Sequence, residues 1–148
     1  MKKVLFISDF FKNLIPGGAE CNDSNLIIYL SRNSALRKTT CMNLSQNHME
    51  WADLIILSNF SSLSQPNKEY LMNKKEYIIY EHDHKYSSVR DPSRYYNFKI
   101  PQNKLRDIEL YEKAKCVVVL SQICEEILKI NVPSAKVHSI GCSLWSHE

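Results

Sequence analysis

Glu81-His82-Asp83-His84 sets four ionisable side chains directly behind an apolar run. A carboxylate or imidazole in such a place can remove the proton from an attacking hydroxyl. Histidine is poised for that work near neutral pH. His82 and Asp83 are therefore the candidate catalytic residues, and His84 is a candidate substrate contact. Asp83 can instead orient a histidine. Strict alternation along a strand puts His82 and His84 on one side and Asp83 on the other, a rule that a turn would break. Two other readings stay open: a metal held by the two histidines and the aspartate, and a solvated loop without chemistry.

A second group is Pro16-Gly17-Gly18-Ala19-Glu20, behind the first apolar run and at the start of a helical pattern. Paired glycines let a backbone approach a ligand closely. Free amides at a helix N-terminus favour a phosphate or another anion. Gly17 and Gly18 are therefore candidate substrate contacts, with a plain turn as the alternative. The spacing is neither the dinucleotide fingerprint Gly-x-Gly-x-x-Gly nor a Walker loop. Glu20 is either a favourable first-turn charge or a group facing another domain. A third group lies within residues 90–99, where Arg90, Arg94 and Tyr95 can hold a sugar or polar acceptor by hydrogen bonds and stacking. The competing reading is a surface loop with Tyr95, Tyr96 and Phe98 packed on the domain. Ser121 either approaches a ligand or caps a helix.

These residues need a frame that brings them together. Val4-Leu5-Phe6-Ile7 is a continuous apolar run, as expected for a strand covered on both faces. Further strands are expected over residues 35–42, 52–58, 76–80, 116–120 and 136–140. Helices are expected over 19–32, with Leu26, Ile27 and Leu30 as its apolar stripe, and over 66–73, 103–113 and from Ser121 to about Ile130. Residues 85–102, broken by Pro92 and Pro101, read as a long functional loop with room for a helical turn. Strands alternating with helices predict an α/β fold: a Rossmann-like, doubly wound, mostly parallel six-stranded sheet with helices on both faces. Right-handed crossovers gather the strands' carboxyl ends on one edge, where ligands bind in this class.

The bulk numbers exclude several classes. The chain has 148 residues, 44% hydrophobic and 24% charged, which suits one folded domain with its own core. A net charge of +3, scattered along the chain, does not call for a nucleic-acid footprint, and direct nucleic-acid binding is not expected. Five cysteines without a Cys-x-x-Cys read as buried free thiols in a reducing compartment. No export signal and no run of spanning length is visible, so stable membrane insertion is not expected and a cytoplasmic location is. No Gly-x-Ser-x-Gly elbow is present. His138, inside the last expected strand, reads as structural or interfacial.

The assembled pattern resembles the N-terminal domain of GT-B glycosyltransferases, family 4 in particular. The resemblance rests on Lys3-Val4-Leu5-Phe6-Ile7-Ser8, Gly17-Gly18-Ala19-Glu20, Glu81-His82-Asp83-His84, Val117-Val118-Val119-Leu120-Ser121 and Lys136-Val137-His138-Ser139-Ile140-Gly141. It implies a Rossmann-like N-terminal domain over residues 1–141, with 142–148 as the start of an interdomain linker or a truncated tail. It implies an acceptor-side half-enzyme that moves a sugar from a nucleotide-sugar donor to a hydroxyl acceptor, with no obligatory metal and no cofactor. Gly17 and Gly18 would approach the donor diphosphate, and His82 or Asp83 would stand near the reacting sugar. The partner would be a C-terminal Rossmann-like donor domain, and little transfer is expected without it. The alternative is a non-catalytic α/β interaction module.

Overall fold

The computed structural model describes residues 1–144. Six strands form one all-parallel sheet in the order β2-β1-β3-β4-β5-β6. The strands are β1 (Lys3–Ser8), β2 (Ala35–Thr40), β3 (Leu54–Leu57), β4 (Tyr77–Tyr80), β5 (Cys116–Val119) and β6 (Val137–Ser139). The helices are α1 (Gly18–Ser31), α2 (Gln46–Trp51), α3 (Gln65–Lys74), α4 (Ile108–Lys113) and α5 (Gln122–Asn131). This is the α/β, doubly wound, Rossmann-like architecture.

The strand order explains where the helices lie. The chain steps from β1 outward to β2, then returns to the other side of β1 for β3. With right-handed crossovers, that reversal moves the connecting helices from one face of the sheet to the other. Leu26, Ile27 and Leu30 of α1 accordingly pack on Val4, Phe6, Ile56 and Tyr80. The other face, with Leu5, Ile7, Ile55, Leu57 and Val117, is covered by Met49 of α2, Leu71 of α3, Leu110 and Tyr111 of α4, and Leu128 of α5. Val4 to Ser8 are buried because both layers press on β1, which is why its apolar run is unbroken. The two faces are covered unequally. Beyond α1, Ile78, Val118 and Ile140 line an apolar groove of about 470 Å³ with Leu26 and Tyr29.

Two details differ from the sequence reading. The expected helix over 103–113 is two pieces, a 3-10 turn at Gln102–Lys104 and then α4, because Asp107 between them is left-handed (φ +55°). The helical turn allowed for within 85–102 is present as two 3-10 turns, Pro92–Arg94 and Tyr96–Phe98. Helix α2 was not anticipated. Its N-cap is Ser45, whose hydroxyl accepts from the His48 amide while the Ser45 amide donates to His48 Nδ1. Elsewhere the boundaries move by two residues or fewer.

Among the described residues no helix is long and apolar enough to cross a membrane. The cysteines are free. Only Cys41 is fully buried, and Cys142 is exposed, so burial does not account for all five thiols. Of the segment 142–148, residues 145–148 lie outside the described residues. Leu144 is held to α1 through hydrogen bonds with Asn22 and Asn25.

Candidate functional site

A cleft of about 280 Å³ opens at the carboxyl edge of the sheet. Gly18, Ala19 and Asn22 of α1 form one wall. Glu81 to His84 and Tyr86 form another, and Leu120 and Cys124 close the third side. It opens beyond the carboxyl ends of β4 and β5, against the N-terminus of α1. The glycine turn and the acidic-imidazole cluster, 63 residues apart between Gly18 and Glu81, thus share one opening.

His82 is the best-supported polar group in it. Its Nε2 lies 3.2 Å from Asp23 Oδ1. Asp23 is fully buried on α1, and both its oxygens accept from the Ser58 hydroxyl at 2.8 and 2.7 Å. Ser58 follows β3 directly, and its amide donates to Ile7 of β1. Three elements therefore fix one imidazole. A carboxylate only accepts, so Nε2 is the donor, and in the neutral ring the lone pair falls on Nδ1. Nδ1 makes no hydrogen bond within the described residues. The Tyr80 ring stands edge-on to the imidazole at 4.7 Å.

Glu81 points the other way, into the larger core. It accepts from the Lys85 amide and from Lys85 Nζ, both at 2.9 Å, and from the Tyr111 hydroxyl at 2.6 Å. Burial, and then the Glu81 charge, push the Tyr111 hydroxyl well above the usual phenol range, so it stays a donor. Lys85 Nζ also donates to the His82 carbonyl at 2.6 Å and sits over the Phe60 ring. Glu81 therefore braces the turn that carries His82, rather than offering a free carboxylate.

That turn is left-handed at two successive non-glycine residues, Asp83 (φ +62°) and His84 (φ +49°), a conformation that costs free energy in most residues. The alternation expected for 82–84 is broken there. Asp83 is exposed on the rim. His84 Nδ1 shares a hydrogen bond of 2.7 Å with the Tyr86 hydroxyl. Burial pushes the His84 pKa below its ordinary 6.5, against weaker upward pulls from Glu81 and Asp83. The unfolded chain then binds a proton that the folded chain refuses. The neutral ring's contribution is present in full above pH 6.5 and is lost as pH falls through that value towards the folded pKa. Urea midpoints at about pH 7.5 and about pH 5.5 should fall with acidification, and His84→Gln should flatten part of that drop.

Gly17 and Gly18 differ in role. Gly18 opens α1 and lines the cleft. Gly17 is the N-cap, extended (φ −84°, ψ 172°) and without a side-chain cap, and it does not line the cleft. A Cβ on Gly17 would overlap Glu20 Oε2, so the folded-back Glu20 carboxylate fills that space. The first amides of α1 have no intrahelical partners.

The remaining candidates lie elsewhere. Arg90 lines a second cavity, on the far side of Lys85. Arg94 is exposed and paired with Asp91 at 3.2 Å. Tyr95 packs with Phe98 against the main core. Ser121 caps α5, its hydroxyl accepting from the Cys124 amide at 3.3 Å. Ser121→Ala should cost about 1 kcal/mol in urea unfolding, as a lost N-cap does.

Asp23, Ser58, Lys85 and Tyr111 went unnoticed in the sequence. Asp23 had a signal. It stands three, four and seven residues before Leu26, Ile27 and Leu30, on their own stripe. A carboxylate on an apolar stripe must be buried against a partner.

No family model and no curated protein matches this chain. Among the described residues no group of three His, Cys, Asp or Glu side chains converges as a metal site would require.

Proposed function

We propose that this chain is the acceptor-side half of a GT-B glycosyltransferase of the family 4 type, working in the cytoplasm and acting with a C-terminal donor-binding domain. One observation carries the reading. The free N-terminus of α1 at Gly18 and an imidazole fixed by a buried carboxylate line the same cleft. A helix N-terminus suits the diphosphate of a nucleotide sugar. An imidazole with a free ring nitrogen suits the hydroxyl groups of a sugar and the proton of an acceptor hydroxyl. In the transfer, the bond from the anomeric carbon to the diphosphate oxygen breaks and a bond to the acceptor oxygen forms. The acceptor's proton leaves towards His82 or the departing phosphate, with Asp83 and His84 on the rim as further sugar contacts.

Calorimetric titration with common nucleotide sugars tests the reading. The chain alone should give no saturable heat. Joined to the C-terminal donor domain of a family 4 enzyme, it should bind, and transfer should appear. Tight binding by the chain alone would remove the donor contacts from the C-terminal domain. No binding in either form would end the assignment.

A further inference from the structure

We propose that the second cavity is a binding site for a phosphate monoester group. It measures about 290 Å³ and lies between the loop after β3 and the loop after β4, separate from the His82 cleft. Four cations line it: Lys68, Lys85, Arg90 and Arg106. Two of them are already engaged. Lys68 is paired with Asp107, the one acidic group on the wall, at 2.9 Å, and Lys85 with Glu81.

Arg90 and Arg106 have no carboxylate partner among the described residues. Arg90 donates one bond, from Nη2 to Ser61 Oγ at 2.6 Å. Arg106 donates from Nη1 alone, to the carbonyls of Asn103 and Leu105 at 3.0 and 2.8 Å. Each guanidinium carries five N–H donors in a planar fork, so most remain free. Such forks match a phosphate two bonds at a time.

The second observation is independent of charge. Ser87 is on the wall of this cavity, 1% exposed, and its hydroxyl has no hydrogen-bond partner among the described residues. Buried hydroxyls are almost always paired, and an unpaired one costs free energy until something meets it. A phosphate oxygen between the two guanidiniums would supply an acceptor once the hydroxyl rotates towards the cavity. The cavity is large enough for a phosphate with a few attached atoms. The proposal does not depend on the transferase reading, because none of its lining residues lines the cleft, and the Lys85 ammonium is held by Glu81 and the His82 carbonyl.

Amide NMR titration of the chain with inorganic phosphate and with glycerol 3-phosphate tests it, against sodium chloride at equal ionic strength. Saturable shifts are expected at Ser61, Ser87, Ser88, Arg90 and Arg106, with the ester binding at least as well as the free ion. Arg90→Gln with Arg106→Gln should weaken binding by about tenfold or more, since both lost bonds are charge-assisted. Both side chains are exposed, so the core is untouched; if the double variant unfolds, the two single variants carry the same test. Ser87→Ala should weaken binding without lowering the urea midpoint, which a merely structural hydroxyl would not do. Arg32→Gln, remote from the cavity, should change nothing. Shifts that chloride reproduces, shifts that never saturate, or an affinity unchanged in the arginine variants would overturn the proposal.

Discussion

Glu81→Ala is expected to destabilise the fold by about 3–5 kcal/mol, the usual cost of removing one partner of a buried ion pair. Glu81 and Lys85 are 5% and 6% exposed, so neither charge is screened by water. Alanine would leave the Lys85 ammonium with the His82 carbonyl as its only oxygen partner. It would also orphan the Tyr111 hydroxyl, which burial keeps protonated. The turn carrying His82 would lose its brace at the same time, because the Lys85 amide also ends on Glu81. Glu81→Gln keeps the volume and one acceptor, and should fall between the two. Urea unfolding near neutral pH reads both. A loss below about 1 kcal/mol, the value of an exposed pair, would mean that Lys85 reaches water.

His82→Gln carries the largest expected effect on activity. In the protein joined to its donor domain, transfer should fall by about 10²–10⁴-fold, the range for losing a positioned acid or base. The amide of glutamine can still donate to Asp23, so the buried carboxylate keeps a partner and the fold should persist. The loss should appear in kcat rather than KM, because the group acts on the reacting proton. Turnover within about threefold of the parent, in a folded variant, would place His82 outside the chemistry.

The strands were legible for a simple reason. β1, β3, β4 and β5 are buried on both faces or nearly so, and a continuous run of Val, Leu, Ile and Phe or Tyr has no other easy home. β2 was harder because it is an edge strand with Arg37 and Lys38 exposed. The break at Asp107 was illegible. Its cause is a left-handed backbone and a bond to Lys68, 39 residues away, and neither has a local signature. α2 escaped because His48 takes the place in its capping box usually held by Glu or Gln.

The site followed the same logic. Gly18 and His82 could be placed together because topology alone sends both to one edge. Asp23 could not be assigned to His82 from spacing, since 59 residues and a sheet separate them. The division of labour within 81–84 was hidden as well. Strand alternation ends at a turn that only the left-handed backbone at Asp83 and His84 reveals.

The account stands on one physical arrangement, an imidazole tethered at Nε2 and offering Nδ1 to whatever enters the cleft. Nitrogen-detected NMR of labelled histidine, recorded while a nucleotide sugar is added to the protein joined to its donor domain, observes that arrangement directly. The account predicts a His82 ring protonated at Nε2, whose Nδ1 resonance moves in step with ligand saturation. A ring protonated at Nδ1, or His82 signals that stay still while the ligand binds, would contradict it.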